Sequence, residues 1–280
     1  MQEISKLKEI VAQFVGDSEE IDVKPLGAGH INDSYKVKAG EKEYVLQRIN
    51  HSIFKNVPKL QSNILRVTMH IRQKLMDAGV NDIDRKVLTL VPTPGGKLFY
   101  QDAEGSYWRM MDFIRDSKSY DEINPELAYR AGLAFGEFQK MLADLPGDPL
   151  FETIPNFHNI ESRLETFRDS VRANKVGRLV EVQDLVSELE ARADEMCKAE
   201  RMHREGKLIK RTNHCDTKVN NILFDKNDQV LCVVDLDTVM PGYVLSDFGD
   251  FIRTGANKCA GDYQDLDNVS FYLAIVEGYT

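Results

Sequence analysis

The chain has 280 residues, of which 42% are hydrophobic and 29% charged, so it is long enough for one large domain or for two lobes with a sizeable core. A formal net charge of −9 argues against nucleic acid or an anionic membrane surface as a partner. The sequence has no run of 18 apolar residues, and its four cysteines form no Cys-x-x-Cys pair, which is typical of a reducing compartment. These features predict a soluble cytoplasmic protein.

The first 14 residues predict an amphipathic helix that packs on a lobe. Their apolar side chains recur at helical spacing on one face, formed by Ile4, Leu7, Ile10, Val11 and Phe14. The segment lacks the continuous apolar region of a signal peptide.

A glycine-containing turn with the sequence GAGHIN joins two predicted strands, residues 21–26 and 34–38. Glycines let backbone N–H groups come close to phosphates, as in the hairpin with which a kinase covers its nucleotide. Gly27, Gly29 and Asn32 are therefore candidate nucleotide contacts. Asn32 stands where a protein kinase has its third glycine.

The next strand, residues 43–49, and the helix after it, residues 58–76, depart from the kinase pattern. In kinases the strand carries a lysine for the α- and β-phosphates, and the helix carries the glutamate that holds this lysine. Here Gln47 takes the lysine position, and residues 50–76 contain no acidic residue. The departures agree, because a glutamate without a cationic partner would be an unpaired charge. Gln47 remains a candidate nucleotide contact.

With no lysine at this position, neutralising the phosphates would be left to a metal ion, to Lys218 and to Arg48.

The remaining elements follow from hydrophobic periodicity. Three segments predict strands: residues 86–91, 97–100 and 107–114. Longer segments with the helical period are residues 124–145, 180–202, 245–254 and 266–279, with one more helix that begins near Phe157.

Residues 207–237, KLIKRTNHCDTKVNNILFDKNDQVLCVVDLD, carry most of the candidate chemistry. The spacing His214-x-Asp216-x₄-Asn221 is that of a kinase catalytic loop, in which the aspartate orients the attacking hydroxyl and accepts its proton while the asparagine holds a metal. Lys218 is placed to meet the transferring phosphoryl group. A predicted hairpin follows, and it brings Asp235 close to Asn221.

A cluster of Asp216, Asp235 and Asp237 predicts a bound cation. Two carboxylates about 4 Å apart repel by roughly 4 kcal/mol at an effective dielectric constant near 20. Because the candidate ligands, the Asn221 amide and the Asp235 carboxylate, both offer oxygen, Mg²⁺ is the expected ion. Asp237 is close enough in sequence to face either the metal or the substrate.

Two competing interpretations concern Asp247 and Cys215. Asp247-Phe248-Gly249 spells the kinase metal-binding tripeptide but opens a predicted helix, whereas Asp235 ends a strand, so Asp247 is assigned a structural role. Cys215 could be a nucleophile, but the neighbouring Asp216 raises the pKa of its thiol, so it is interpreted as a packed small residue.

The strings HCDTKVNNILFD and VVDLDTVMPGYVLSDFGDFIR closely resemble the aminoglycoside phosphotransferase-like (choline kinase-type) kinases, and within them the bacterial N-acetylhexosamine 1-kinases. The likeness also includes GAGHINDSY, YVLQRIN, YWRMMDFI and AGLAFGEFQ, so it extends over nearly the whole chain.

This resemblance implies an α+β, two-lobed protein-kinase-like fold. Residues 1–114 would form an N-terminal nucleotide-binding lobe with an antiparallel sheet and a helix. Residues 115–280 would form a mostly helical catalytic lobe, incomplete at its C-terminal end because chains of the family continue for several more helices.

The resemblance further implies ATP and Mg²⁺ as cofactors, with adenine bound by the backbone of Asp112, Phe113 and Ile114. The γ-phosphoryl group would pass to the anomeric hydroxyl of N-acetylglucosamine or N-acetylgalactosamine. Asp216 and Asp237 are the candidate sugar contacts.

Two alternatives remain open at this point. The same fold could phosphorylate an amino alcohol, such as choline, homoserine or an aminoglycoside. Gln47 and the missing helix glutamate also permit a non-catalytic nucleotide-binding module, although such a module would not need Asp216, Asn221 and Asp235 together.

Overall fold

The computed structural model describes residues 2–16, 20–27, 31–122, 124–255 and 269–279. Its N-terminal half contains an antiparallel sheet of six strands in the order β1-β2-β3-β6-β4, with β5 paired to β6. The strands are β1 (Ile21–Pro25), β2 (Asp33–Ala39), β3 (Lys42–Ile49), β4 (Leu90–Val91), β5 (Tyr100–Gln101) and β6 (Tyr107–Asp112).

Helix α1 (Gln2–Val15) covers one face of this sheet, as its periodicity predicts. Burial of apolar side chains from helix and sheet stabilises the contact. The shared cluster includes Leu7, Ile10, Val11 and Phe14 from the helix and Val37, Leu46 and Trp108 from the sheet.

Helix α2 (Val57–Asp77) links the sheet to the rest of the protein. Asn56 caps its N-terminus by accepting a hydrogen bond from the Lys59 N–H at 3.1 Å, and Pro58 follows in the first turn, where its missing N–H has no cost. The apolar face of α2 packs into a cluster with residues from the sheet and from the second half of the chain, among them Leu60, Ile64, Val67, Ile71, Phe138, Leu231 and Leu236.

The second half is mainly helical, with α3 (Pro125–Leu142), α4 (Ile160–Ala173), α5 (Gln183–Met196), α6 (Lys198–Arg204), α7 (Val244–Gly255) and α8 (Val269–Tyr279). Two small antiparallel ribbons lie among these helices. One pairs β7 (Arg211–Asn213) with β10 (Met240–Gly242), and the other is the hairpin of β8 (Ile222–Phe224) and β9 (Val230–Val233). The predicted α+β, two-lobed fold is confirmed by this arrangement.

Three predicted elements differ from the structure. The strand predicted over residues 97–100 is limited to Tyr100–Gln101. The strand predicted over residues 86–91 is reduced to Leu90–Val91, because Lys86 leaves the sheet and its ammonium donates to the Val230 carbonyl at 2.8 Å. The helix predicted over residues 180–202 is interrupted at Cys197, after which α6 turns Glu200 inward to accept a hydrogen bond from the Tyr243 hydroxyl at 2.9 Å.

In the described ranges, no helix has both the length and the apolar character needed to cross a membrane.

Candidate active site

The catalytic loop begins directly after β7 and brings three of the predicted residues together. The Lys218 ammonium lies 2.9 Å from one carboxylate oxygen of Asp216 and 3.1 Å from the other. The Asn221 side-chain N–H₂ donates to the Asp216 backbone carbonyl at 2.8 Å. Because the nitrogen of the Asn221 amide is used in this way, its oxygen is turned away from the loop and is free to bind a cation.

Asp247 in α7 fixes the backbone of the catalytic loop by hydrogen bonds. Its buried carboxylate accepts hydrogen bonds from the backbone N–H groups of His214 and Cys215, both at 2.9 Å, and from the Gln139 side chain at 2.8 Å. In the same α7, the Asp250 carboxylate accepts from the Thr217 N–H at 3.0 Å. The tripeptide DFG of this chain therefore anchors the loop that carries Asp216.

We predict that Asp247→Ala lowers the free energy of unfolding by at least about 3 kcal/mol, because each of three buried donors then loses its acceptor at roughly 1–3 kcal/mol. Urea unfolding followed by circular dichroism measures the change. Asp169→Ala is the control, since Asp169 is exposed and pairs only with Arg172 in its own helix. Equal stability of the two variants would contradict the anchoring role.

His214 is buried and connects the catalytic loop to the hairpin. Its Nε2 lies 2.9 Å from the Val234 carbonyl, and its ring packs edge-on against Phe135 at a centroid distance of 5.8 Å. His214 is thus placed to brace the loop.

Asp235 follows β9 and lies next to the catalytic loop. The Val234 N–H donates to the Asn221 backbone carbonyl at 2.8 Å, which fixes the two segments side by side. Asp235 adopts a left-handed conformation (φ 60°, ψ 55°), which residues with a side chain rarely adopt. The residue is exposed, but the protein around its carboxylate reduces hydration of the charged form. This desolvation, together with the nearby negative charge of Asp237, raises the pKa of Asp235 to about 6.

These donors fit a divalent cation with oxygen preference. Reduced hydration and neighbouring negative charge both disfavour ionised Asp235, and a cation would relieve them. Within the described ranges no group of three or more His, Cys, Asp or Glu could hold a metal by itself. One amide, one carboxylate and a bound phosphate chain form the kind of partial ligand set that Mg²⁺ uses.

Asp237, a candidate sugar contact in the sequence analysis, is buried and bound by other protein groups. Its side chain is only 3% exposed, forms an ion pair with Arg109, and accepts a hydrogen bond from the Asn32 amide at 2.6 Å. Both carboxylate oxygens are therefore bound by protein groups.

The predicted nucleotide contacts on the sheet are partly used by the protein itself. Asn32 is buried, and both ends of its amide have protein partners. The nitrogen donates to Asp237, and the oxygen accepts from the Asn50 N–H at 2.9 Å. The Gln47 amide donates to the Ser34 hydroxyl at 2.8 Å and accepts from Arg109 at 2.9 Å. Asn32 and Gln47, which the sequence analysis made candidate nucleotide contacts, are thus part of a protein hydrogen-bond network.

Arg48, the other candidate for neutralising phosphate, is exposed, and its guanidinium binds Asp33, with Nε 2.7 Å from the carboxylate. Gly27 has a positive φ of 66°, as a tight turn requires, and Gly29 lies outside the described residues.

The segment predicted to bind adenine follows β6, and two of its three backbone N–H groups already donate hydrogen bonds to the protein. The Asp112 N–H donates to the Thr89 carbonyl and the Phe113 N–H to the Glu43 carbonyl, both at 3.0 Å. The Ile114 N–H makes no such bond to a described residue, so it is the best placed of the three for adenine.

Cys215 is buried beneath the loop in a left-handed conformation (φ 64°). Burial, with Asp247 as a secondary cause, raises the pKa of its thiol well above the usual range. The thiol is therefore protonated at neutral pH, which disfavours a nucleophilic role.

We predict that iodoacetamide modifies native Cys215 more than about tenfold more slowly than Cys197 at pH 8, because each unit of pKa elevation lowers the thiolate fraction tenfold. Peptide mass spectrometry over a time course measures both sites in one sample. In urea the two rates should converge. Rapid labelling of native Cys215 would contradict its assignment as a packed residue.

A pocket opens beside the catalytic loop and contains residues that the sequence analysis did not select. Its walls are the segment 152–159 and the start of β10, with Cys215, Lys210 and Tyr243 also in the lining. The pocket reaches the catalytic loop at Cys215, the residue before Asp216, which is part of its lining.

The model of a family described as the phosphotransferase enzyme family (APH) matches residues 22–278. The chain belongs to this phosphotransferase family.

Solved structures share the fold of this APH phosphotransferase at low sequence identity. A microcompartment-associated aminopropanol kinase has a TM-score of 0.61 at 16% identity, with 99% of this chain and 80% of that chain covered. Spectinomycin phosphotransferase APH(9)-Ia, solved with ADP and spectinomycin, has a TM-score of 0.59 at 14% identity, with 98% and 79% covered. Choline kinase LicA from Streptococcus pneumoniae has a TM-score of 0.53 at 12% identity, with 100% and 81% covered.

The APH phosphotransferase also contains one buried arginine that the sequence analysis missed. Arg109 lies on β6 beside Gln47 and contacts both Gln47 and Asp237. The available signal was the charged residue between Trp108 and Met110, inside a run that is otherwise apolar from Tyr107 to Met111, where an unpaired charge is too costly to bury.

Proposed function

We propose that this APH phosphotransferase transfers the γ-phosphoryl group of ATP to the anomeric hydroxyl of an N-acetylhexosamine, either N-acetylglucosamine or N-acetylgalactosamine. The observation that carries the proposal is the chemistry of the pocket beside Asp216. Family membership supports phosphoryl transfer to a small molecule, and the N-acetylhexosamine 1-kinase resemblance of the catalytic strings supports the sugar.

In this proposal the Asp216 carboxylate accepts a hydrogen bond from the sugar hydroxyl and turns its oxygen toward the γ-phosphorus of ATP. It takes up the hydroxyl proton as the new bond to phosphorus forms, while the bond from the γ-phosphorus to the bridging oxygen breaks and ADP leaves. Lys218 lies within 3.1 Å of both Asp216 oxygens and is about half exposed, so it can reach the transferred phosphoryl group from the loop. Its positive charge would stabilise the negative charge that accumulates there in the transition state.

ATP would lie between the lobe of residues 1–114 and the lobe of residues 115–280. Asn221 and Asp235 would hold Mg²⁺, which when bound neutralises and orients the phosphates. The Ile114 backbone would orient adenine. The ADP bound in the spectinomycin phosphotransferase structure, which shares this fold, supports a nucleotide cofactor here.

The lining of the acceptor pocket consists mainly of neutral polar groups and aromatic rings, and few of its charged groups lack a protein partner. Asn156, His158 and Asn159 supply donors and acceptors, and burial lowers the pKa of His158, so its ring is neutral at pH 7. The Phe157 ring stacks on His158 at 4.6 Å. A neutral, hydroxyl-rich sugar with an amide group matches these partners better than a polycation does.

The charged residues of this pocket are largely engaged with the protein. The buried Glu200 accepts from the Tyr243 hydroxyl at 2.9 Å, and the Lys210 ammonium lies 5.4 Å from the centre of the Tyr243 ring. The segment 152–159 is held in place by Asn63 of α2, whose amide donates to the Phe151 carbonyl at 2.7 Å and to the Val239 carbonyl at 3.0 Å. These two bonds tie the chain on both sides of the pocket, just before residue 152 and just before β10, to α2.

The second candidate is an amino alcohol acceptor. It is favoured by Glu152, an exposed carboxylate in the pocket lining that could bind an ammonium group, and by the aminopropanol kinase and choline kinase among the structures of the same fold.

Phosphorus NMR of reactions with Mg²⁺ and ATP separates the candidates. The acceptors are N-acetylglucosamine, N-acetylgalactosamine, choline, homoserine, 1-amino-2-propanol and spectinomycin, each tested singly. The proposal predicts a new resonance with the coupling of an anomeric phosphate for an N-acetylhexosamine alone. A product from an amino alcohol and none from the sugars would favour the second candidate, and Mg²⁺-ATP binding without any product would favour a nucleotide-binding module.

A further inference from the structure

Arg109 is one of the most deeply buried side chains of the protein, at 2% exposure in the centre of the sheet. A guanidinium cannot lose its proton at accessible pH, so its burial is tolerated only with a compensating charge. That charge is Asp237, at 3% side-chain exposure, which is 128 residues later in the chain. The pair therefore joins strand β6 to the segment that follows β9.

Arg109 ends a row of polar side chains that crosses three neighbouring strands. Ser34 on β2 is directly opposite Gln47 on β3, and Gln47 is directly opposite Arg109 on β6. Hydrogen bonds connect the row, from Gln47 to the Ser34 hydroxyl at 2.8 Å and from Arg109 to the Gln47 oxygen at 2.9 Å. Kinases have a lysine at the position of Gln47 on β3. In this chain the nearest counterpart of that positive charge is Arg109, on the neighbouring strand β6.

Asp237 lies in a short 3₁₀ turn, Leu236–Thr238, that is held from two sides. On the sheet side, Asp237 binds Arg109 and accepts from Asn32 at 2.6 Å. On the catalytic side, the Thr238 hydroxyl donates to the His214 carbonyl at 2.8 Å. Asp235 immediately precedes this turn, and its left-handed backbone conformation needs such support from the surroundings.

We propose that Arg109 and Asp237 are a positioning pair that sets the location of Asp235 relative to the nucleotide-binding sheet. The inference rests on the proposed function, in which Asp235 is a metal ligand. Neither residue touches phosphate or acceptor. The ion pair of this chain joins β6 to the turn after Asp235, whereas the kinase pair joins the strand that corresponds to β3 to the helix that follows it.

This role differs from simple stabilisation by a buried ion pair. Removing one member of such a pair destabilises a protein, but replacing both with apolar residues of similar size is often neutral or stabilising. A positioning role requires the charged network itself, since the apolar pair would lose the hydrogen bond that Asn32 donates to Asp237 and the one that Arg109 donates to Gln47. Stability and metal affinity should therefore separate in the double variant.

The test uses Arg109→Met, Asp237→Leu and the double variant, with Arg109→Lys as the conservative change. Calorimetry of ADP binding at increasing Mg²⁺ gives the half-saturating Mg²⁺ concentration, and urea unfolding gives stability. Val37→Ala is the matched control, because Val37 is fully buried in the separate cluster under α1 and its truncation lowers stability alone.

We expect both single variants and the double variant to raise the half-saturating Mg²⁺ concentration by about 10–100-fold, as is usual when groups behind a metal ligand are lost. The double variant should regain much of the stability lost by the single variants without regaining Mg²⁺ affinity. Arg109→Lys, which keeps the charge but loses the bond to Gln47, should fall between Arg109→Met and the wild type. Val37→Ala should keep the wild-type value.

Recovery of Mg²⁺ affinity together with stability in the double variant would overturn the inference, as would unchanged affinity in the single variants. Absence of Mg²⁺-dependent ADP binding in the wild type would instead overturn the proposed function and this inference with it. If Mg²⁺-ADP binds but no sugar is phosphorylated, only the acceptor assignment fails.

Discussion

Asp216→Asn is expected to lower kcat by roughly 10²–10⁴ while leaving the dissociation constant of Mg²⁺-ADP within about twofold of wild type. Asparagine keeps the size of the side chain but cannot accept the proton of the acceptor hydroxyl. It also loses the charge that holds Lys218 at 2.9 Å. Initial rates with the preferred acceptor and calorimetry with ADP measure the two quantities.

The control for this variant is Asp169→Asn, an exposed aspartate whose partner, Arg172, is in the same helix. It should match the wild type in both assays. If Asp216→Asn also turned over at the wild-type rate, Asp216 would have no part in the chemistry and the assignment of the loop would be wrong.

Asp235→Asn is expected to reduce activity by about 10³, since loss of a charged metal ligand removes several kcal/mol of transition-state stabilisation and 1.36 kcal/mol corresponds to a factor of ten. Unlike Asp216→Asn, this variant should also lose the effect of Mg²⁺ on ADP affinity. Removal of the negative charge relieves the desolvation and, secondly, the repulsion from Asp237 that raise the pKa of Asp235 to about 6, so the folded protein should not be destabilised.

Calorimetry of ADP binding with and without Mg²⁺, and urea unfolding, distinguish these effects. A variant that is inactive and also unfolds at lower urea would point to a structural role for Asp235. Retention of the Mg²⁺ effect on ADP would place the metal ligands elsewhere in the chain.

Much of the fold could be predicted from sequence because its signals are local. Helix α2 is marked by the cap Asn56 and by apolar residues at helical spacing, and it was predicted within one residue at each end. Contacts between distant residues were not predictable in this way. The strand predicted over residues 86–91 is one example, because it is limited to Leu90–Val91 while Lys86 donates to the Val230 carbonyl, 144 residues later in the chain.

The same distinction applies to the candidate site. The fixed spacing of Asp216, Lys218 and Asn221 places all three on one loop, where the structure brings them within hydrogen-bonding distance. The roles of Asp237 and Asn32 depend on each other across 205 residues, and no local pattern shows that the two side chains meet. Sequence spacing alone therefore made Asp237 resemble a substrate contact.

The most direct measurement of the central claim is the anomalous diffraction of Mn²⁺ in crystals of the protein grown with a non-hydrolysable ATP analogue. The account predicts a strong peak within about 2.3 Å of both the Asn221 amide oxygen and an Asp235 carboxylate oxygen, beside the β- and γ-phosphates. A peak away from these two side chains, or a nucleotide bound with its phosphates distant from Asp216, would contradict it.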